Sequence, residues 1–144
     1  MPMNICKVCV ALVACSALPA AAGERLALVE HADTDTVVHV GGTVDALGDL
    51  MTFADPIFDA ADRVQLGADH GYCVRVVLGK SWECFWTLSL AAGQITCEGT
   101  YLETGDSVFA VTGGTGRYVG AKGSLTVHPR DAKGSAYDLV YELR

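Results

Sequence analysis

Basic residues are scarce in this chain. Ten Lys and Arg stand against seventeen Asp and Glu, a formal net charge of -7, which excludes nucleic acid as a natural partner. No stretch keeps an apolar period of three to four residues, so the sequence has little to build amphipathic helices from. Its longest apolar run is too short to stay across a bilayer, and no stable membrane span is expected. The histidines, His31, His39, His70 and His128, fall at no ligand-like separation, so no metal is expected. A Gly-x-Ser-x-Gly elbow is missing as well, which leaves hydrolase chemistry without support.

Phosphate-binding loops are absent despite many glycines. Lys122 is followed by Gly123 where a P-loop needs Ser or Thr, and Gly114 and Gly116 are followed by Arg117, Tyr118 and Val119 before Gly120. What the segment Thr104 to Val127 offers instead is glycine set between Val-rich and aromatic runs. That pattern marks strands that turn sharply, bulge or pass close to another backbone, as at the corner of a barrel. Hydrophobic residues make up 51% of the chain against 19% charged, a balance that fits a folded domain.

The N-terminus reads as an export signal: Lys7, the apolar run Val8 to Leu18, and small residues Ala20-Ala21-Ala22 at a cleavage site. The expected division is a signal over 1–22 and one domain over 23–144, secreted or periplasmic, of about 120 residues. Without Lys7 the formal charge becomes -8, nine basic residues against seventeen acidic. The alternative is Leu12-Val13-Ala14-Cys15, which is similar to a lipoprotein box and would put a lipid anchor on Cys15. Three cysteines, Cys73, Cys84 and Cys97, fall in the domain, enough for one disulfide and one remaining thiol.

Period-two alternation runs through the domain. Strands are expected at Arg25 to His31 with Thr36 to Val40, Leu50 to Phe58 interrupted by Pro56, Tyr72 to Leu78, Trp82 to Leu90, Gln94 to Leu102, Ser107 to Thr112, Gly123 to His128 and Ala136 to Leu143. About eight short strands imply an all-β fold, an eight-stranded antiparallel β-barrel that leaves no sheet edge. In the hairpin centred between Leu78 and Gly79, Cys73 stands opposite Cys84, which brings a disulfide within reach; a turn one residue later would misalign the pair. Cys97 reads as a small buried hydrophobe. Phe85 must point away from Trp82 and Trp86, whichever face those occupy.

Three blocks then carry a resemblance: Gly48-Asp49-Leu50-Met51-Thr52-Phe53; Leu66-Gly67 with Gly71-Tyr72-Cys73-Val74; and Gly99-Thr100-Tyr101-Leu102 running into Asp106-Ser107 and Ala110-Val111-Thr112-Gly113-Gly114-Thr115-Gly116. In that order they resemble the allene oxide cyclase and dirigent superfamily, most closely its cyclase branch. The resemblance implies a hydrophobic, fatty-acid-derived epoxide closed to a cyclopentenone in an apolar barrel cavity, without a cofactor, by a protein that often forms homotrimers. Such a reaction asks the protein mainly for orientation and charge complementarity.

Carried over residue by residue, the resemblance implies a catalytic site of Glu30, Asp55, Cys73 and Tyr101. Glu30 falls near the catalytic glutamate, Asp55 at a water-holding asparagine, and Cys73 and Tyr101 at cavity positions. A second water-holding asparagine becomes Ala32, and the Ser-Pro pair of that loop has no counterpart among Asp33 to Val37. Each position also has an ordinary reading. Glu30 reads equally as a solvated strand-end acid beside Asp33 and Asp35, Asp55 as a turn acid before Pro56, Cys73 as half a structural disulfide and Tyr101 as a core aromatic. Three functions remain open at this stage: a cofactor-independent isomerase or cyclase, a dirigent-like or lipocalin-like binding protein without chemistry of its own, and an exported structural or interaction protein of the envelope, which would have no cavity large enough for a ligand.

Overall fold

The computed structural model describes residues 23–42 and 44–144, so the expected export signal and Cys15 lie outside the described residues. Nine strands form one antiparallel sheet: β1 (Glu24–His31), β2 (Thr36–Val38), β3 (Leu50–Asp59), β4 (Gln65–Val77), β5 (Ser81–Leu90), β6 (Gly93–Leu102), β7 (Ser107–Gly114), β8 (Gly123–Pro129) and β9 (Ala136–Leu143). The order is β1-β9-β8-β7-β6-β5-β4-β3-β2, and β1 also pairs with β3 from Leu28 opposite Asp59 to Glu30 opposite Ile57. That last pairing closes a ring of eight strands, with β2 as a short continuation that follows β1 along the same side of β3.

Pro56 does not interrupt β3, which runs through it to Asp59. Along a strand the backbone groups of alternate residues face the same neighbour. Ala54 donates its N–H to Thr34 Oγ1 in the gap between β1 and β2, so the missing N–H of Pro56 falls on that same gap and costs no ladder hydrogen bond.

β4 begins at Gln65, seven residues before the expected Tyr72. Gly67, Asp69 and Gly71 have low strand propensity, which hides this half of the strand in the sequence. Tertiary contact explains the glycines: a Cβ on Gly71 would lie 2.2 Å from the Phe85 carbonyl oxygen and 2.8 Å from Phe53 Cζ. Only glycine lets β5 and the Phe53 ring approach that closely. The glycine-rich segment after β7 is a corner, as expected. Gly116 opens a short 3-10 turn, Gly116–Tyr118, with φ +58°, and a Cβ there would meet the Ala92 carbonyl oxygen at 2.4 Å.

The interior divides into two halves. Toward the β3–β4 and β5–β6 turns it is filled by Ile57, Leu88, Ile95, Leu125, Leu139 and Tyr141, all with no exposed surface. Toward the β4–β5 and β6–β7 turns it opens into a cavity. The hairpin of β4 and β5 has the expected register, with Cys73 opposite Cys84 and Arg75 opposite Trp82. The two cysteines are joined, with Cα atoms 4.0 Å apart. Trp82 and Trp86 face inward, and Phe85 lies on the outer face stacked on Tyr72 at 5.9 Å. Cys97 is free and buried, and burial pushes its thiol up to about 12.

The disulfide closes a loop between residues eleven apart in sequence, and removing it frees the unfolded chain more than the folded one. Replacing both Cys73 and Cys84 by Ala is expected to lower the unfolding free energy by about 3 kcal/mol, measured by urea denaturation. An unchanged stability would show that the bond constrains nothing the hairpin does not already fix.

Candidate active site

The open half of the barrel holds a cavity of about 380 Å³ at the end where β1, β4, β6 and β8 finish. That volume suits a small organic molecule. Its walls are aromatic: Phe53, Trp82, Trp86, Tyr101 and Tyr137 all line it. The Trp86 ring meets Phe53 edge-on at 5.1 Å and Phe109 at 5.5 Å, so its position is fixed from two sides. Tyr101 and Tyr137 share a hydroxyl–hydroxyl hydrogen bond of 2.8 Å. Burial raises both phenols above their ordinary range, which keeps them protonated donors at neutral pH.

Beside and behind this wall lie three buried carboxyl groups. Inward alternation on β1, β3 and β4 brings Glu30, Asp55 and Asp69 to one level of the barrel, with carboxylate oxygens within 4.8 Å of one another. Glu30 is 3% exposed and lines the cavity, which settles against the solvated strand-end reading. Asp55 and Asp69 stand directly opposite each other in the β3–β4 ladder and have no exposed surface. Glu30 Oε2, Asp55 Oδ2 and both Asp69 oxygens have no hydrogen-bond partner among the described residues.

Carboxylates withdrawn from water and crowded together hold protons tightly. Burial first, then the charges of Asp69, Asp55 and Asp35, lifts Glu30 well above the ordinary glutamate value. Burial and the Asp55 charge raise Asp69 to about 8, although the Trp86 indole N–H approaches it and offsets part of the rise without closing a hydrogen bond. Asp35, at the cavity mouth, is raised to about 6 by desolvation of its carboxyl and by Asp55.

Of the other expected site residues, Cys73 and Tyr101 line the cavity and Asp55 does not. Asp55 does not line the cavity: its Oδ1 accepts the backbone N–H groups of Asp33 at 2.9 Å and Thr34 at 2.8 Å, which pins the β1–β2 loop over the barrel. It is a positioning acid for that loop, and it is not the simple turn acid before Pro56 either. Cys73 does line the cavity, but as half of a disulfide it carries no thiol. Tyr101 lines the cavity with its hydroxyl on Tyr137.

Asp69, Tyr137 and Arg75 belong to the site and were not singled out by sequence reasoning. Period-two alternation extended back from Cys73 through Gly71 would have placed Asp69 on the inner face. Arg75 sits at the cavity mouth, six residues along β4 from Asp69, and its guanidinium lies 3.8 Å from the centre of the Trp82 ring. It pairs with Asp45 at 2.6 Å and Glu103 at 2.5 Å, and Glu103 also accepts the Trp82 indole N–H at 3.2 Å. The loop before β3 is fastened to the same point, because Arg75 N–H donates to the Asp49 carbonyl and Gly48 N–H to the Arg75 carbonyl. Asp49 in turn accepts the Ala46 and Val40 N–H groups and contacts His39 Nδ1 at 2.7 Å, bonds that hold its carboxyl below the ordinary value.

Fold and cavity together define a closed antiparallel β-barrel with one open, aromatic-walled end and acids at its floor. The model of the family described as allene oxide cyclase matches residues 29–130, and the chain belongs to that family. Among solved structures it is similar to one titled pyocyanin demethylase, at 29% identity over 84% of this chain and 98% of that one, with a TM-score of 0.68. It also shares its fold with the pterocarpan synthase dirigent protein PsPTS1 (14% identity, 85% and 94% coverage, TM-score 0.70) and with AbnU, titled an exo-specific intermolecular Diels-Alderase (18%, 85% and 98%, 0.64).

The folded protein keeps a proton on Asp69 up to about pH 8, whereas the unfolded chain releases it near 3.8, so the native state binds more protons across that window. Stability is therefore expected to fall as pH rises from about 4 to about 8. Asp69→Asn, which cannot ionise, is expected to flatten that slope and to exceed the wild type in stability at about pH 8, read by urea denaturation at several pH values. Parallel pH curves for the two proteins would mean that Asp69 ionises as freely in the fold as out of it.

Proposed function

We propose that this chain is an exported, cofactor-independent isomerase or cyclase that takes a hydrophobic, unsaturated small molecule into the barrel cavity, with Glu30 as its acid–base residue. The observation that carries the reading is the position of Glu30, nine-tenths withdrawn from solvent yet part of the cavity wall, with its pKa raised. A carboxyl group that holds its proton more tightly than an ordinary glutamate gives it to a substrate oxygen or carbon and recovers one from a neighbouring carbon. Such an exchange rearranges bonds with no net change in protons. Once it has given its proton, the Glu30 carboxylate faces any positive charge that develops beside it.

The remaining groups divide the work of positioning. The hydroxyl pair of Tyr101 and Tyr137 supplies a donor to a substrate oxygen, and Phe53, Trp82 and Trp86 set the shape in which an unsaturated chain or ring must fold. Asp55 acts through the loop it pins and through its charge on Glu30. Cys73 contributes wall and rigidity. The Cys73–Cys84 disulfide supports the exported location, since such bonds persist in oxidising compartments. Family membership supports the cyclase class, and the pyocyanin demethylase relative supports small-molecule chemistry in a barrel of this kind.

The test supplies a fatty-acid allene oxide generated in situ and measures the enantiomeric excess of the cyclopentenone. Wild type is expected to give one enantiomer in excess, and Glu30→Gln to lose that excess while still binding a hydrophobic probe. A racemic product from wild type removes cyclase activity on that substrate. Equal excess from wild type and Glu30→Gln would mean that shape alone directs the reaction, as in a binding protein without chemistry of its own.

A further inference from the structure

The disulfide takes no part in the chemistry proposed above, yet it stands where a reagent can reach it. Cys73 and Cys84 both line the cavity, although the residues are only 1% and 4% exposed. Their side chains point into the barrel, while their chain neighbours Tyr72 and Phe85 stack on the outer face. The cavity is therefore the route by which a reagent meets the sulfur atoms.

The inner face leaves that route open. Cys84 stands opposite Gly99 of β6, so the adjoining strand supplies no side chain to cover it. Below Cys73 on the same face of β4 comes Gly71, again without a side chain. Asp69 lies four residues deeper than Cys73, about 13 Å along the strand, so the bridge belongs to the mouth half of the cavity. Beyond the bridge the hairpin carries the parts that set the mouth. Arg75, two residues further on β4, stands opposite Trp82, two residues earlier on β5, and the ladder shifts register between Arg75 and Val77. Asp45, Asp49 and Glu103 all hang on Arg75. Opening the bridge thus detaches one side of the entrance from the packed barrel.

We propose that Cys73–Cys84 is a reactive disulfide served by the cavity, one that exchanges with a small aliphatic thiol entering at the mouth and so loosens the hairpin tip that holds Arg75 and Trp82. A thiolate attacks one Sγ to form a mixed disulfide, and the other cysteine leaves as a thiolate that takes up a proton. A second thiolate then displaces the first cysteine and carries the reagent away as its own disulfide. In sum, two thiols are oxidised, and the protein bridge gains two electrons and two protons. A reductant of protein size is excluded, because its sulfur must enter a cavity of about 380 Å³ to touch the bridge. The inference does not depend on the catalytic reading: a molecule seated in the cavity shields the bridge whatever its fate there.

The experiment treats the folded, oxidised protein with 2-mercaptoethanol or with excess reduced thioredoxin, then quenches, unfolds and labels with iodoacetamide. A gain of two labels by mass reports the opened bridge. The 2-mercaptoethanol rate is expected to rise in proportion to thiol concentration. Relative to their rates on the exposed disulfides of insulin, thioredoxin is expected to be at least about tenfold slower than 2-mercaptoethanol. The neutral aromatic 2-naphthol, at about ten times its dissociation constant, is expected to slow the small-thiol reaction about tenfold. Acrylamide quenching of tryptophan is expected to rise on reduction while the circular dichroism of the sheet is retained, and the rise is expected to be lost in Trp82→Phe. A 2-mercaptoethanol rate that levels off at the rate of global unfolding, equal relative rates for the two reductants, or 2-naphthol that binds without protecting overturns the cavity route. Quenching that reduction leaves unchanged overturns the loosening of the mouth. Reduction proportional to small thiol and resistant to thioredoxin upholds the route even where 2-naphthol fails to bind, a result that sinks only the small-molecule reading.

Discussion

Three carboxyl groups crowded within 4.8 Å and shut away from water are the feature to which the rest of this barrel is fitted. Leaving a single buried charge unpaired is costly, and a cluster of like charges costs more unless protons or a cation intervene. The structure supports that cost with a packed half below, where leucine and isoleucine side chains fill the ring, and with a disulfide and two tryptophans on the neighbouring strands. An eight-stranded ring is just wide enough for this division, with one half filled by side chains and the other left for a ligand.

The break between β1 and β2 follows from the same cluster. β1 leaves β3 after Glu30, and the loop that follows is held by Asp55 through the N–H groups of Asp33 and Thr34. That clasp brings Asp35 to the mouth of the cavity and gives Pro56 a place where no ladder hydrogen bond is needed. A residue that the family resemblance places on a bound water thus becomes, in this chain, the anchor of a loop. An amide oxygen could accept the same two backbone donors; what the carboxylate adds is a charge that acts on Glu30.

Further along β4, at the mouth, Arg75 organises the entrance. It stacks on Trp82, pairs with Asp45 and Glu103, and shares backbone hydrogen bonds with the loop that ends at Asp49. Because these partners come from three separate segments, the mouth is set by one buried guanidinium. Its planar fork suits that task better than a lysine ammonium would. The cavity consequently has a mouth set by a guanidinium tied to two carboxylates and, beneath it, buried acids that hold their protons tightly.

Much of this architecture was legible in the sequence. Alternation of period two, the glycine-rich corner after β7 and the register of the β4–β5 hairpin all follow from local rules, because side-chain direction in a strand is fixed by counting. That count brought Cys73 and Cys84 within disulfide reach, and the tertiary structure joins them. The first half of β4 was hidden, since Gly67 and Gly71 are there to admit Ser89, Phe85 and Phe53 from other strands, and no local pattern records what a missing side chain makes room for. For the same reason Asp69 escaped notice, and Glu30 could be read as a solvated acid. Whether a carboxyl group is bathed in water or sealed among other acids depends on the closure of β1 onto β3 and β9, contacts between residues far apart in the chain, and only the tertiary structure decided it.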